Sequence, residues 1–115
     1  MTQSHVEPTY WANIYVGRQR GYDGEIVPIE EIRQSLLDFC KCGLGVTMTE
    51  TEFIYTGGSE PGVIIGLINY PRFPNSESKI RSTAIKLTRM LCKKFDQNRA
   101  TVVFPDTSVM IGSKE

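Results

Sequence analysis

The most apolar segment of the chain reads Val63-Ile64-Ile65-Gly66-Leu67-Ile68-Asn69, within a sequence of 115 residues. Both of its alternating faces are apolar, so it predicts a strand in the middle of a sheet. Upstream, Val46 to Tyr55 alternates and is rich in threonine, which favours a half-exposed strand. The glycine-rich residues 56–62 predict the turn that joins these two strands.

The rest of the chain predicts two helices and further strands around this pair. Residues 10–16 alternate and carry aromatic and β-branched side chains, which is typical of a first strand. Helical spacing of apolar residues follows Pro28, and it recurs after residues 75–76, which can cap a helix. Ala100 to Phe104 predicts the last main strand, which residues 107–111 extend beyond a proline kink.

The order β-α-β-β-α-β predicts an α+β domain of the ferredoxin-like class, an antiparallel sheet with two helices on one face. We expect strands one and three to be parallel neighbours in the centre of this sheet. The loops that follow these strands should then leave the sheet at the same end. Their side chains are therefore expected to converge.

Length and composition fit one small domain with short tails. With 40% hydrophobic and 23% charged residues, 115 residues are enough for one core. We expect a flexible tail at residues 1–9, a single domain at residues 10–111 and a C-terminal tail at residues 112–115. No apolar run approaches the ~20 residues of a membrane-spanning helix. We therefore expect a cytoplasmic protein without a membrane partner.

The chain offers few groups for metal binding or acid–base chemistry. Its three cysteines are an odd number, and its single histidine, His5, lies in the predicted tail. A structural zinc site needs about four ligands, and a serine or cysteine triad needs a histidine base. We therefore expect no metal, no cofactor and no catalytic residues.

Two loops carry the side chains that predict a ligand site. Arginine binds phosphate or carboxylate through two hydrogen bonds at once, and aromatic rings stack on planar bases. Glycines in the first loop let backbone amides approach an anion. Together these groups predict a site for a small anionic, nucleotide-like ligand. Its residues are Arg18, Arg20, Tyr22 and Asp23 in the first loop and Asn69, Tyr70, Arg72 and Phe73 in the second.

One face of a two-layer domain of this class has no helices to cover it. Trp11, Tyr15, Phe53 and Tyr55 are candidates for that face, and they are too large and apolar for a bare surface. We therefore expect a homo-oligomer that packs sheet against sheet. The alternative is that these rings point into the core and the other residues of each strand face water.

Two known classes share the predicted order of elements. The segment Val16 to Gly21 resembles the glycine-rich first motif of acylphosphatases, which implies phosphate binding and hydrolysis. The second motif of that family has no counterpart around Val46 to Tyr55, and Asn69 lies on the wrong predicted strand.

RNA-recognition modules have the same order, and a basic second helix could attract phosphates. These modules stack bases on aromatic residues of the third strand, and Val63 to Asn69 has none. A nucleic-acid partner is therefore not expected.

Two blocks, Asn13 to Gly24 and Glu60 to Pro74, resemble those of small uncharacterised phage proteins. The resemblance implies a compact anti-defence protein of the host cytoplasm that sequesters a nucleotide signal. Our leading hypothesis is thus a non-enzymatic, homo-oligomeric sponge for a small anionic ligand. One alternative is a protein-interaction module or inhibitor of a host protein, and the other is an acylphosphatase-like phosphate hydrolase.

Overall fold

The computed structural model of the protein describes residues 3–21 and 23–112, apart from the side chain of Cys42. Within these ranges there are two α-helices, a short 3-10 helix at Cys40–Cys42, and five strands. In chain order the main elements are β1 (Trp11–Gly17), α1 (Ile29–Phe39), β2 (Thr47–Tyr55), β3 (Gly58–Ile68), α2 (Glu77–Lys94), β4 (Arg99–Val103) and β5 (Ser108–Gly112).

The five strands form one sheet in the order β2-β3-β1-β4-β5, and all paired strands are antiparallel. This confirms the predicted α+β, ferredoxin-like architecture, with β5 added at one edge. None of the helices in the described ranges is long and apolar enough to cross a membrane.

The expected parallel pairing of the first and third strands is wrong. β1 and β3 are central neighbours, but they run antiparallel, with Trp11 opposite Ile68 and Gly17 opposite Gly62. The physical reason is that each helical crossover skips one strand, so the strand in between runs in the opposite direction. The loop after β1 and the loop after β3 therefore leave the sheet at opposite ends.

The core lies between the sheet and the two helices. Alternate residues of β1, namely Ala12, Ile14 and Val16, are buried against the helices. α2 begins at a cap in which the Ser76 hydroxyl accepts a hydrogen bond from the Lys79 amide at 3.1 Å. The predicted buried face of this helix is confirmed, and it comprises Ile80, Ala84, Leu87, Leu91 and Phe95.

Two predicted connections differ in the structure. The turn between β2 and β3 contains only Thr56 and Gly57, with Gly57 at a φ of 87°. Residues 58–62 belong to β3 instead of the predicted turn. β5 does not continue β4, because the chain reverses between them and the Phe104 amide donates to the Thr107 carbonyl oxygen at 2.8 Å.

The β2–β3 hairpin projects beyond the rest of the sheet. β1 pairs with β3 only as far as Gly62, so residues 52–61 extend past the end of β1, and we call them the hairpin arm. The radius of gyration is 15.2 Å, whereas a compact chain of this length has about 13 Å. The molecule is correspondingly elongated, measuring 54 × 29 × 25 Å.

Candidate functional site

The sheet face opposite the helices carries aromatic, threonine and glycine residues, and we call it the open face. Trp11, Tyr15 and Phe53 are half-buried on it, and Tyr55 is 56% exposed. The strand register aligns these rings on one side of the sheet. The alternative that they point into the core is therefore wrong. Their role in an oligomer interface stays a prediction.

A polar cavity of ≈ 360 Å³ lies at the end of the sheet where β1 ends. Three parts of the chain enclose it: the loop from β1 to α1, the hairpin arm, and the turn from α2 to β4. A carboxylate, a guanidinium, amides and a phenol therefore share one concave site. The lining residues are Gln19, Gly21, Tyr55, Glu60, Gln97, Asn98 and Arg99.

Two opposed glycines beside this cavity are covered by side chains that pack closely on the main chain. Gly17 and Gly62 face each other across β1 and β3. A Cβ atom on Gly17 would lie 2.9 Å from Oε1 of Gln97, and one on Gly62 would overlap the ring of Phe53. A side chain at Gly17 would displace the Gln97 amide, and one at Gly62 would displace the Phe53 ring, so glycine at these positions lets both groups pack directly on the strands.

The Gln97 side chain fixes one wall of the cavity. It is 6% exposed, and its Nε2 donates to the carbonyl oxygens of Gln19 at 2.7 Å and Phe95 at 3.0 Å. Next to it, Asp96 has a φ of 51°, and its carbonyl oxygen accepts from the Gly21 amide at 2.9 Å. These bonds hold the first loop against the α2–β4 turn.

The arginines of the first predicted group make contacts within the chain. Arg18 donates from Nε to the Val27 carbonyl oxygen at 3.1 Å, and its Nη1 lies 3.7 Å from the Glu50 carboxylate. Arg20 lies between Glu25 and Glu31, at 3.6 Å from each.

Arg20 also donates to the Lys94 carbonyl oxygen at 3.4 Å and stacks over the Phe95 ring. Asp23 is exposed, and Tyr22 lies outside the described residues. Both arginines therefore have a structural role, and ligand binding by this group stays a prediction.

The second predicted group lies at the other end of the sheet. Asn69 is buried, its Nδ2 donates to the Pro8 carbonyl oxygen at 2.8 Å, and its Oδ1 accepts from the Asn75 amide at 2.7 Å. Tyr70 is half-buried, Phe73 is 64% exposed, and the guanidinium of Arg72 lies 5.3 Å from the Phe73 ring centre. The structure thus does not bring the two groups together, because the strands that precede them are antiparallel.

Sequence reasoning missed Glu60, Gln97 and Arg99 as site residues. Glu60 lay inside the predicted turn, and the other two lay between a helix and a strand. The signal that could have found them is Gly17 opposite Gly62, because paired glycines on neighbouring strands mark a close approach to the backbone. The pairing of Gly17 with Gly62 could not be predicted without the correct strand direction.

The described residues contain few reactive groups. No three of their histidine, cysteine, aspartate and glutamate side chains gather in a way that could hold a metal ion. Burial raises the pKa of the Cys92 thiol and so keeps it protonated.

Comparison with solved structures identifies two with the same architecture. One is a phage SAM lyase in complex with S-methyl-5'-thioadenosine, with a TM-score of 0.80 and 18% identity over 97% of this chain and 95% of that chain. The other is a phage SAM lyase in the apo state, with a TM-score of 0.82 and 18% identity over 100% of this chain and 98% of that chain.

The protein has the fold of these phage lyases. No protein-family model matches the chain, and no curated protein sequence matches it. The predicted resemblance to small phage proteins is thus supported at the level of the fold.

These matches contradict the prediction of a non-enzymatic sponge. Both similar proteins are named as lyases, so this architecture supports catalysis. The sponge was inferred from the loop arginines and aromatic residues and from the resemblance to small phage proteins, and catalysis was not expected because the sequence lacks a nucleophile–base pair. That argument fails wherever the substrate itself supplies the reacting groups.

Proposed function

We propose that this protein is a lyase that cleaves S-adenosylmethionine (SAM) and releases S-methyl-5'-thioadenosine. The carrying observation is the polar cavity beside the open face in a chain whose fold matches phage SAM lyases over almost its whole length. SAM carries a sulfonium, an α-ammonium, an α-carboxylate, ribose hydroxyls and an adenine. The cavity offers a guanidinium, a carboxylate and a phenol as partners for these groups.

The proposed roles follow from charge. Arg99 orients the α-carboxylate of SAM by donating to one of its oxygens, which leaves the other oxygen available to react. Glu60 accepts hydrogen bonds from ribose hydroxyls or from the α-ammonium group. Tyr55 and Phe53 supply aromatic surface, on which the adenine or the sulfonium methyl group can lie.

The reaction that needs the fewest protein groups is an internal displacement. One oxygen of the substrate's carboxylate forms a bond to its Cγ, and the Cγ–S bond breaks with its electron pair staying on sulfur. A five-membered lactone and neutral S-methyl-5'-thioadenosine result, and no proton or water is consumed. A negative and a positive charge cancel along this path, so surroundings poor in water favour the transition state.

Product analysis tests the activity. The purified protein is incubated with SAM, and the released products are separated and weighed by mass spectrometry. We expect S-methyl-5'-thioadenosine and a lactone in equal amounts. Homoserine as the first product would indicate attack by water, and vinylglycine would indicate removal of a proton. If folded protein leaves SAM intact under all conditions, the proposal is wrong.

Glu60→Gln tests the site. The loss of a charged hydrogen-bond partner lowers kcat/KM about ten- to hundredfold. The matched control is Glu52→Gln, because Glu52 belongs to the same hairpin arm but occupies the alternate strand position, on the opposite face of the sheet. A loss of activity in Glu52→Gln as large as in Glu60→Gln would assign the effect to the arm as a whole and contradict the proposed site.

We also propose that copies of the chain associate through the hairpin-arm end of the open face, which leaves the Trp11 end accessible. In support, Phe53 and Tyr55 lie on the projecting arm, where Tyr55 is 56% exposed. Native mass spectrometry should find a multimer that Tyr55→Glu dissociates. Leu37→Glu, on the exposed side of α1, is the control that leaves it intact. A wild-type monomer at all concentrations would contradict this association.

A phage setting for the reaction is part of the proposal. SAM is the methyl donor of cytoplasmic methyltransferases, so a lyase for SAM would act in the host cytoplasm. It would lower the concentration of SAM and thereby weaken defences that depend on methylation. Expression of the protein in bacteria should lower cellular SAM and DNA methylation. Expression of Glu60→Gln should leave both unchanged.

A further inference from the structure

A second cavity lies at the opposite end of the open face from the proposed lyase site. Its volume is ≈ 480 Å³, and it includes the side chains of Glu7, Trp11, Asn13 and Ile68. Trp11 is aligned with Ile68, and Glu60 precedes Ile68 by eight residues in β3. At ~3.3 Å per residue the two cavities are about 26 Å apart along the strands, too far for one nucleoside to reach both.

One wall of this cavity is the segment before β1. The Asn69 side chain holds that segment in place by donating to the Pro8 carbonyl oxygen at 2.8 Å, and the Asn69 amide donates to the Tyr10 carbonyl oxygen at 2.8 Å. Asn69 is itself 7% exposed. The cavity is therefore a built feature of the fold, with walls from residues 7–10 and from the end of β3.

The groups that face this cavity are suited to an adenine base and its ribose. Trp11 offers an indole surface on which a base can stack. Asn13 is half-buried, and no described residue is hydrogen-bonded to its side chain. An asparagine amide can pair with two neighbouring groups on one edge of adenine, accepting from the 6-amino group and donating to a ring nitrogen. Such a pair satisfies an amide that has no hydrogen-bond partner among the described residues.

The Glu7 carboxylate supplies the group that can bind the ribose. Glu7 is held by His5, with Oε2 of Glu7 2.6 Å from Nε2 of His5, and its side chain is 26% exposed. A carboxylate at the mouth of a cavity accepts hydrogen bonds from the ribose hydroxyls of a nucleoside. Ile68, at 47% exposure, supplies an apolar surface across from Trp11.

We propose that the Trp11–Asn13 cavity is a second binding site, separate from the proposed lyase site, for an adenine nucleoside. It stands on its own residues and does not depend on whether the polar cavity cleaves SAM. Its ligand class includes adenosine and S-methyl-5'-thioadenosine, which share the base and the ribose.

The single tryptophan of the chain makes the test direct. Adenosine, which has no sulfonium to be cleaved, is titrated into the assembled protein while Trp11 fluorescence is recorded. We expect a saturable change, and about tenfold weaker binding of purine riboside, which lacks the 6-amino group. Asn13→Leu should weaken adenosine binding by a similar factor, while Gln34→Leu, an exposed amide on α1, should not.

The same variants separate the two sites. Glu60→Gln should keep the fluorescence response, and Asn13→Leu should keep the cleavage of SAM. Thermal unfolding and native mass spectrometry check that each variant is folded and assembled. If Asn13→Leu does not fold, Asn13→Asp, which has a side chain of nearly equal size, replaces it. The proposal is overturned if adenosine leaves Trp11 fluorescence unchanged, if purine riboside binds as well as adenosine, or if Asn13→Leu abolishes turnover.

Discussion

The Arg81 guanidinium and the Asp106 carboxylate lie 2.6 Å apart, between Nη2 and Oδ1. The same guanidinium stacks over the Phe104 ring, with 4.6 Å to its centre. Asp106 follows β4 and Arg81 belongs to α2, so this pair ties the β4–β5 turn to the helix. It is the shortest of the arginine–carboxylate ion pairs within the described residues.

The hydrogen bond from Arg81 lowers the pKa of Asp106 below the ordinary value of an aspartate. A group whose pKa is lower in the folded state stabilises the fold above its unfolded pKa, and this contribution is lost as pH falls through the folded pKa. We expect Asp106→Asn to lower the melting temperature at pH 7. The difference from wild type should shrink below pH 4, and thermal unfolding across pH measures it. A constant difference down to pH 2 would contradict an ionic origin.

Asn69→Leu should destabilise the protein by about 1–3 kcal/mol, because it removes two hydrogen bonds of the buried Asn69 side chain, one to the Pro8 carbonyl oxygen and one from the Asn75 amide. Urea unfolding measures the change. Gln34→Leu, at an exposed amide of α1, should cost much less. Equal losses for the two variants would show that the Asn69 side chain does not anchor the N-terminal segment.

Gly62→Ala should displace the Phe53 ring, because the new Cβ would overlap it and would lie 2.8 Å from the Val16 carbonyl oxygen. The expected cost is about 1–3 kcal/mol of stability, together with a loss of SAM cleavage. Gly45→Ala is the matched control, because its Cβ would meet only the Tyr70 ring at an ordinary 3.7 Å. If Gly62→Ala and Gly45→Ala have the same stability and activity, the packing of the Phe53 ring on Gly62 does not matter for either property.

Arg20→Ala should reduce stability by about 1 kcal/mol, because Arg20 links the first loop to α1 and to the end of α2. Arg72→Ala should leave stability unchanged, because Arg72 contacts only its neighbour Phe73 among the described residues. Denaturant titration measures the free energy of unfolding of both variants. A stability loss in Arg72→Ala, and none in Arg20→Ala, would reverse these assignments.

The elements themselves were predictable because their signals are local. The apolar spacing of α2 from Ile80 to Phe95 and the alternation of β1 depend only on neighbouring residues, and both match the structure. The extent of β3 was not predictable in the same way. Pro61 and Gly62 indicate a turn, but Pro61 lies where β3 extends past β1, and there a strand tolerates proline as an edge does.

The candidate site was predicted less well than the fold for a related reason. Strand direction is a property of the whole chain path, and no residue of β1 or β3 encodes it locally. Arg18 and Arg20 were expected to meet Asn69 and Arg72, but the antiparallel pairing separates them by the length of the sheet. Glu60 and Arg99 meet at the polar cavity although they are 39 positions apart in the sequence. Such proximity can be predicted only when the strand register is known.

The facing pair Gly17 and Gly62 has a consequence for which lining positions can vary. The Gln97 amide and the Phe53 ring cover these glycines, so a side chain at either glycine would displace one of them. Changes in ligand preference that keep this packing are therefore expected at other lining positions, such as Tyr55 and Arg99.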